Sequence, residues 1–477
     1  MLALRRLGFV VAILGAAQSV HGQYFWQDPY RNESKVAPTP GSYWTPPVEL
    51  PAVTRPPAAA PVPAAAGALT LPELTEYALR NNPRTREAWL AARAAAAGVG
   101  VEQADLLPQV SGLYTATRLQ QASATTGAVV PWQTRWGPAI SFSYLLYDFG
   151  ARGAQIDAAQ FRLLAANLSQ NRVLQDVVFQ VEQAYYRLIG TDALVKVNDQ
   201  TLQNLKTAYD AAQRRRESGL ATAADVYRAE TQVAQAEVNL TRSRGELEKA
   251  RGLLANAAGL PVDGKLRIAP ISTAPRTEEI TSSLSDLLER AKQTRPDLVA
   301  AEAQARASRA TAQAVSKATL PAIEVTGSAG RVIFPDNRPV VPTYNIALNL
   351  RIPIFTGFRD TYSVRQAEAQ AAQAEATRDR LYQQTELDVW QAYYDLQTAA
   401  SEITSTATQV KSAEQTSQAT LARYRAGFGS LLDLITAQLD ESSARVQQVQ
   451  SYLDWYTAVS RLNFSVGLND LMAGDKK

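Results

Sequence analysis

Two stretches of the chain alternate apolar and polar residues with a period of two, which predicts β-strands. In residues 136–146 the polar face carries serines, and in residues 343–354 it carries Asn345, Asn349 and Arg351. The apolar positions are Trp136, Pro138, Ile140, Phe142, Tyr144 and Leu146, and then Tyr344, Ile346, Leu348, Leu350, Ile352 and Ile354. Alternation over about ten residues suits a strand with lipid on one side and water on the other.

Weaker alternation in residues 109–117 and 322–330 predicts a partner for each strand, so the hairpins are expected over 109–147 and 322–355. A half-buried strand of a β-sandwich has the same period. Two features weigh against the sandwich. The N-terminus carries a predicted export signal, in which Arg5 and Arg6 precede the short apolar run of residues 7–17. The long helical segments leave no second sheet for these strands to pack on.

Apolar residues elsewhere recur every 3.5 residues, which predicts long helices wound into left-handed coiled coils. Residues 153–220 contain no strong helix breaker, and at about 1.5 Å per residue they span roughly 100 Å. The predicted seam of this helix is Leu174, Val178, Val181, Tyr185, Leu188, Val195, Leu202, Leu205, Tyr209 and Ala212. A second seam is Tyr382, Val389, Tyr393, Leu396, Ala400, Ile403, Ala407, Val410, Leu421 and Tyr424. Each long helix is expected to turn and return as a helix of about 35 residues.

The hexapeptide QAYYRL at 183–188 returns as QAYYDL at 391–396, and this pair belongs to a duplication of the whole helical and strand pattern. A repeat of this length is a duplicated half rather than a short solenoid unit. The predicted organisation is a signal peptide (1–22), a proline-rich linker (23–68), a first repeat (69–260), a connector (261–283), a second repeat (284–470) and a tail (471–477).

Composition narrows the function classes. The chain has 477 residues with 48 Lys and Arg against 45 Asp and Glu, so a net charge of +3 gives no indication of nucleic-acid binding. It has no cysteine, and its one histidine, His21, lies in the predicted signal peptide. These counts remove disulfides and thiolate sites and nearly exclude a histidine base. We therefore expect no catalytic residues, no cofactor and no metal site, and the chain is not expected to be an enzyme.

Four strands cannot close a barrel across a membrane, because their edges would leave backbone groups unpaired in hydrocarbon. Oligomerisation is therefore required. Three copies supply twelve strands and a water-filled lumen, whereas two copies supply eight strands whose interior side chains nearly fill the barrel. The fold class predicted is mainly α with a membrane β-barrel: a trimeric helical tube joined to a twelve-stranded trimeric barrel.

The duplicated pattern resembles the TolC-like outer-membrane efflux protein family over residues 69–470. The stretch YRAGFGSLLDLITAQLDESSARVQQVQ at 424–450 is similar to the family's last helical hairpin, and RIPIFTGFRDTYSVRQAEAQ at 351–370 resembles its junction between strand and helix. The resemblance implies a homotrimeric exit duct in the outer membrane. It implies contact with outer-membrane lipid, a periplasmic membrane-fusion adaptor and an inner-membrane RND, ABC or MFS pump. The alternative from another class is an exported structural coiled-coil protein of the envelope.

The resemblance also implies roles for the two hairpin turns. Small-residue turns of the family touch the adaptor, and here these correspond to Gly219 and Leu220 and to Gly427 and Phe428. Glycine at a turn also has a plainer explanation, since it permits the backbone geometry. At the junctions between strand and helix the matching residues are Gly150, Arg152, Gly357 and Arg359.

Asp225, Asp433 and Tyr424 match tip positions at which the family closes its periplasmic gate. A trimer would turn each aspartate into a ring of three charges. Capping of the following helix explains the same aspartates equally well. The chain departs from the family pattern at Gly429 and Thr436, where an arginine and a second aspartate are expected. Partner candidates close by in the sequence are Arg216 and Arg425, together with Arg215 and Arg423.

Overall fold

A computed structural model describes residues 69–120, 127, 129, 131–262, 268, 283–335 and 338–467. All of them belong to the unit Ala59–Lys477. The predicted signal peptide, linker and tail lie outside the described residues, as does most of the predicted connector.

The elements of the first half recur in the same order in the second half. The first half consists of α1 (Leu71–Asn81), α2 (Pro83–Ala104), β1 (Gln109–Leu119), β2 (Gln133–Tyr147), α3 (Ala151–Glu217) and α4 (Ala223–Ala257). The second half consists of α5 (Leu284–Thr294), α6 (Pro296–Lys317), β3 (Ala322–Val332), β4 (Val341–Arg351), α7 (Arg359–Arg425) and α8 (Leu431–Val466).

The two long helices, α3 and α7, have 67 residues each, so each is roughly 100 Å long. Helix α4 returns along α3, and α8 returns along α7. Residues of the predicted seams lie in these contacts: Val181, Tyr185 and Leu188 are buried on α3, and Val389 and Leu396 are buried on α7. Tyr185 belongs to an apolar cluster with Leu254 of α4 and Leu74 of α1. Its counterpart Tyr393 packs against the equivalent cluster of the second half. The repeated tyrosines are therefore packing residues.

Helix α2 begins where α4 ends, so that these two shorter helices together accompany one long helix. The N-cap residue Asn82 donates from Nδ2 to the carbonyl of Ala257, 2.9 Å away. Gly259 follows at φ +73°, and a Cβ on it would lie 3.0 Å from Cα of Asn82. The duplication reproduces this joint in the second half, where Gly467 has φ +83° and lies against the backbone of Thr294 and Arg295. Glycine is required at both positions because the backbone is left-handed and the neighbouring helix start is too close for a side chain.

Arg295 replaces the asparagine at the second joint and carries a buried charge there. Its guanidinium pairs with Asp297 at 2.6 Å and with Asp388 at 2.9 Å. Burial alone would raise the pKa of the Asp297 carboxyl, but the hydrogen bonds from Arg295 hold that pKa below its usual range. A buried charge remains stable only when it is paired in this way. The network ties α6 to α7 near the end of α8.

The four strands pair in the order β1-β2-β3-β4, and every pair is antiparallel. Register places Ser111, Ser141, Ser328 and Asn345 in one row across the sheet. The neighbouring row is Gly112, Ile140, Ala329 and Tyr344. Because side chains alternate between faces, one face of the sheet is polar and the other is apolar. Strands β1 and β4 form the edges of the sheet.

Gly190 marks the close approach of α3 to α8. A Cβ on Gly190 would overlap the side chain of Leu453, whereas a Cβ on Gly153, also in α3, meets nothing within 4 Å. We expect Gly190→Val to lower the free energy of unfolding by about 1–3 kcal/mol relative to Gly153→Val, because only the first overpacks a contact between helices. Thermal unfolding of the two variants measures the difference. Equal unfolding temperatures would show that α3 and α8 do not pack as described.

Candidate functional site

The apolar face of the sheet is most exposed along β4, while Phe142 and Tyr144 of β2 are half-buried. Tyr344, Ile346 and Leu348 are 81%, 79% and 69% exposed, and Ile140 on β2 is 60% exposed. A contiguous apolar face of this size on an isolated chain indicates contact with lipid or another protein. On the same face the Phe142 ring covers Gly327, where a Cβ would lie 2.5 Å from Cε1 of the ring.

Aromatic rings lie at the end of this face that is nearest to the long helices. A register shift between Leu145 and Tyr147 pairs Tyr147 with Ile323, which moves Tyr147 to the apolar side, whereas strict alternation would place it on the polar side. The Tyr147 ring meets Phe149 edge to face with centroids 4.8 Å apart, and Phe355 meets Phe358 at 5.6 Å. Exposed aromatic rings at the end of an apolar strand face are typical of the boundary between membrane and water.

The opposite face is lined with hydroxyl and amide groups that bond to one another. Ser111 and Ser141 Oγ atoms lie 2.8 Å apart, and Asn349 Nδ2 donates to Thr326 Oγ1 at 3.1 Å. This polar face suits a water-filled lumen.

No helix within the described ranges has both the length and the apolar character needed to cross a membrane. The same residues contain no cluster of three or more His, Cys, Asp or Glu side chains arranged to hold a metal ion.

The junctions between strand and helix use left-handed backbone in both halves, in opposite order. Phe149 and Gly150 have φ of +53° and +85°, while Gly357 and Phe358 have φ of +65° and +63°. In the first junction Arg152 pairs with Asp148 at 3.1 Å and donates to the carbonyl of Asp105 at 2.8 Å. Its counterpart Arg359 is exposed. The sequence pairs the two arginines, but only Arg152 braces its junction.

The two hairpin turns lie at the other end of the long helices. Gly219 and Gly427 have φ of +73° and +87°, so glycine permits each turn. The next residues, Leu220 and Phe428, are 69% and 81% exposed. The turns therefore present two large apolar side chains to the surroundings.

Asp225 and Asp433 each complete a capping box at the start of a returning helix. The N-cap residues are Thr222 and Ser430, whose hydroxyls accept from the backbone N–H of the aspartate at 3.2 and 3.1 Å. Asp225 in turn accepts from the Thr222 hydroxyl at 2.7 Å and from its N–H at 3.0 Å. The T-x-x-D and S-x-x-D patterns in the sequence are typical of such boxes. The two aspartates were identified from the sequence as possible caps, whereas Thr222 and Ser430 were not.

The hydrogen bonds from Thr222 lower the pKa of the Asp225 carboxyl. A carboxyl whose pKa is lowered in the folded chain stabilises the fold above its unfolded pKa, and this contribution disappears as the pH falls through the folded pKa. The start of α4 is therefore expected to loosen only in acid.

Tyr424 is buried at 2% exposure between the two hairpins. It packs with Ala212 of α3, Val226 of α4 and Leu434 of α8. Arg215 Nη1 donates to the Tyr424 carbonyl at 2.8 Å, and its guanidinium lies over the ring at 4.7 Å. The Tyr424 hydroxyl is buried and has no hydrogen-bond partner among the described residues.

Arg216 and Arg425, the partner candidates from the sequence, are exposed and form no ion pair with other described residues. The structure brings Arg215 to Tyr424 instead. One residue along a helix rotates a side chain by about 100°, so sequence proximity alone does not decide which arginine faces the second hairpin.

Comparison with known proteins decides the family. The family described as outer membrane efflux protein matches residues 74–260 and 287–468, which cover most of both repeats. The chain belongs to the outer membrane efflux protein family. Its place is the outer membrane, where it is the channel component of an efflux or secretion system, and the alternative of a purely structural spacer is not supported.

Relatives and solved structures agree with this assignment. This outer membrane efflux protein is 29% identical to the protein CyaE of Bordetella pertussis over 387 residues, which cover 80% of each chain. It is 28% identical to the outer membrane protein OprJ of Pseudomonas aeruginosa, over 77% of this chain and 78% of that one. The CmeC outer membrane channel of Campylobacter jejuni has the same fold, with a TM-score of 0.76 and 17% identity over 83% of this chain and 85% of that chain.

The two faces of β4 give a direct test of which side meets lipid. Ile346→Arg places a charge on the apolar face, at a cost of about 2–4 kcal/mol if the residue lies near the membrane midplane. We expect this variant to fail to assemble in the outer membrane, as measured by heat-resistant oligomer in membrane fractions. The adjacent Asn345→Arg is the matched control, because it points to the polar face and should assemble normally. Equal tolerance at both positions would contradict the assignment of faces.

Proposed function

We propose that this outer membrane efflux protein works as a homotrimeric exit duct without enzymatic activity. Three copies close the strands into a twelve-stranded barrel and the helices into a tube. A periplasmic adaptor binds the hairpin turns, and an inner-membrane RND, ABC or MFS pump supplies the energy and the cargo. The observation that carries this proposal is a mismatch in burial between the two halves of the chain.

The mismatch is clear when α4 is compared with its counterpart α8. Within the chain, α8 packs along α3: Tyr456 stacks on Tyr186 with ring centroids 4.9 Å apart, and Phe464 stacks on Phe179 at 4.5 Å. The counterparts of this α8 face form a continuous stripe along α4 that is left uncovered in the single chain. Every residue of the stripe is exposed except the half-buried Gly252: Ala234, Val238, Thr241, Gly245, Glu248, Gly252 and Asn256.

Helix α7 shows the reverse. On α3, one face contacts α8. The equivalent face of α7 is exposed instead, with Trp390 at 50% and Tyr394 at 43%. The two rings pack together with centroids 4.7 Å apart on the open side of α7. The chain therefore carries one uncovered face on α4 and one on α7. These two faces are equivalent to the faces of α8 and α3, which contact each other within the chain.

Side-chain sizes at the two faces are complementary. Within the chain, Gly190 of α3 leaves room for Leu453 of α8. Thr398 of α7 is equivalent to Gly190, and Gly245 of α4 is equivalent to Leu453. Between copies the larger residue therefore lies on the long helix and the glycine on the returning helix. Trp390 likewise meets the position of Gly252, at which an added Cβ would meet nothing within 4 Å in the single chain.

Helices α2 and α6 show the same difference in burial between the two halves. Ala303 and Ala314 of α6 are buried at 2% and 6%, and Arg162 of α3 donates to Thr311 of α6 at 2.8 Å. On α2 the counterparts of the two alanines, Leu90 and Val101, are 45% and 69% exposed. We infer that α7 of one copy covers α2 and α4 of the next.

Such contacts join unlike faces, so the copies associate head to tail and form a ring when the rotation closes. Closure also pairs β4 of one copy with β1 of the next, which removes the two sheet edges. Three copies give a lumen wide enough for water, as an eight-stranded barrel from two copies does not.

At the periplasmic tip, the exposed Leu220 and Phe428 offer apolar anchors to an adaptor, with Gly219 and Gly427 keeping the turns tight. Tyr424 and Arg215 join the two hairpins of one copy just inside the turns. The carboxyls of Asp225 and Asp433 form charged rings at this end while they cap α4 and α8. We propose that widening the tip requires the contact between Arg215 and Tyr424 to break.

The interface between copies is tested on α4. Gly252→Leu inserts a branched side chain where Trp390 of the next copy is expected, and overpacking of this kind costs about 1–3 kcal/mol at each interface. We expect a monomer with unchanged helix content by circular dichroism and a loss of trimer by light scattering in detergent.

Asn239→Leu is the matched control on α4. Its counterpart Gln447 is exposed within the chain, so residue 239 should remain exposed in the ring and the variant should stay trimeric. Trimer formation by Gly252→Leu as complete as that of Asn239→Leu would reject the proposed interface.

The tip contact is tested with neighbouring arginines. Arg215→Met removes both the hydrogen bond to the Tyr424 carbonyl and the contact with its ring, which together stabilise the closed tip by about 1–2 kcal/mol. We expect the open state to be populated about tenfold more, and single-channel conductance in a planar bilayer to rise. Arg216→Met, one residue away and exposed, should leave conductance unchanged. A rise with Arg216→Met and none with Arg215→Met would show that the sequence-based candidate, not Arg215, holds the tip.

A further inference from the structure

A cavity of about 380 Å³ lies where the sheet meets the helices. Its walls come from the end of α2, the junction between β2 and α3, and the end of α6. This volume falls within the roughly 300–1,000 Å³ of small-molecule sites. Five charged side chains line it: Glu102, Asp105, Asp148, Arg152 and Lys317.

Internal pairing uses only two of these five charges. Asp148 and Arg152 pair with each other at 3.1 Å. Glu102 accepts one hydrogen bond, from Gln155 at 3.3 Å, and the Asp105 carboxyl and the Lys317 ammonium have no ion-pair partner among the described residues. Lys317 is half-buried, and its Nζ lies 3.5 Å from the place that a Cβ on Gly150 would occupy. The cavity, which is open on one side, therefore carries one cation and two carboxylates that have no ion-pair partner among the described residues.

The cavity lies level with the boundary of the membrane. Asp148 points into it, while the residues on either side of Asp148 are Tyr147 and Phe149, whose exposed rings end the apolar face of the sheet. Side chains at this level meet the headgroups of the leaflet that faces the periplasm. Headgroups of this leaflet are therefore within reach of the free charges.

The fold itself does not require these charges. The residues equivalent to Glu102, Asp105 and Asp148 in the second half are Val315, Ala318 and Phe355. The residue equivalent to Lys317 in the first half is Ala104. The chain thus has two related junctions between strand and helix, one lined by five charges and one in which four of the five equivalent positions are apolar. A related junction thus forms without these charges, which leaves them available for a role other than folding.

We propose that this cavity binds the headgroup of a zwitterionic phospholipid that carries a primary ammonium, of the phosphatidylethanolamine type. The Lys317 ammonium contacts the phosphate, and Glu102 and Asp105 accept hydrogen bonds from the lipid ammonium. The acyl chains follow the apolar face beyond Tyr147. A headgroup with one anion and one cation matches the free charges of the cavity, whereas an anionic headgroup would bring its charge to two unpaired carboxylates.

The test uses the full-length protein purified in detergent and delipidated, with lipid binding measured by native mass spectrometry. The probes are phosphatidylethanolamine, its trimethylated analogue phosphatidylcholine, and phosphatidylglycerol. We expect phosphatidylethanolamine to bind about tenfold more tightly than phosphatidylcholine, because a trimethylated nitrogen cannot donate a charge-assisted hydrogen bond to the carboxylates. Equal binding of the three lipids would overturn the proposal.

Two variants separate the two ends of the headgroup. Lys317→Met should weaken phosphatidylethanolamine and phosphatidylcholine alike by about tenfold, since both carry the phosphate. The double variant Glu102→Gln with Asp105→Asn should instead abolish the preference for phosphatidylethanolamine. Lys411→Met is the control, because Lys411 likewise has no ion pair among the described residues but is exposed and lies on the hairpin part of α7. Identical binding by Lys317→Met and Lys411→Met would reject the role of Lys317.

Soluble glycerophosphoethanolamine distinguishes a lipid from a free headgroup. It lacks the acyl chains and is expected to compete only weakly, so competition as strong as that of the lipid would reject a lipid as the occupant. The site rests on the outer-membrane location and not on the duct activity. Single-channel conductance of Lys317→Met should equal that of the unaltered protein, so the lipid site and the duct can fail independently.

Discussion

Backbone hydrogen bonding at the edges of the sheet is the constraint on which the rest of the structure depends. Strands β1 and β4 pair on one side only within the chain, and their apolar faces are exposed. In hydrocarbon each unpaired backbone group costs several kcal/mol, so the sheet is stable in a membrane only when another copy pairs with both edges. The proposed ring therefore makes association of copies part of folding for this chain.

In the proposed ring, the duplication meets this constraint with one set of contacts used twice, once within each chain and once between neighbouring copies. The α3 face that accepts α6 and α8 within the chain is repeated on α7, and the partner faces are repeated on α2 and α4. In the proposed ring, large and small residues are exchanged between the two sets: Gly190 meets Leu453 within the chain, and Thr398 of one copy is expected to face Gly245 of the next. This exchange keeps the neighbouring seams similar in shape while giving each its own side chains, which favours the correct order of faces around the ring.

Much of the fold follows from periodicity. The period of two identified the strands, the period of 3.5 identified the long helices, and the repeated hexapeptide related the halves, because burial on one face leaves a regular signal in the sequence. Details that depend on packing between distant segments left no such signal. The contact of Arg215 with Tyr424 depends on how two hairpins 209 residues apart come together. The pairing of Arg295 with Asp388 joins residues 93 positions apart.

The candidate site was predicted less completely than the fold. The turn glycines and the aspartates were found because the family resemblance marks them. Their capping partners Thr222 and Ser430 were present in the sequence as capping-box patterns and were overlooked. The reversed order of left-handed residues at Phe149–Gly150 and Gly357–Phe358 could not be derived from the alignment of the two halves, since the alignment matches Gly150 to Gly357 but not the phenylalanines.

The absence of cysteine allows one direct measurement of the central claim, which is that α7 of one copy lies against α4 of the next. The double variant Thr398→Cys with Gly245→Cys places one thiol on each face of every chain, and the periplasm is oxidising. The account predicts that mild oxidation of the assembled protein yields covalent dimers and trimers and no larger species on a denaturing gel, with neither single variant forming the trimer. Monomers only, or a ladder that continues beyond three chains, would contradict a closed ring of three copies joined through these faces.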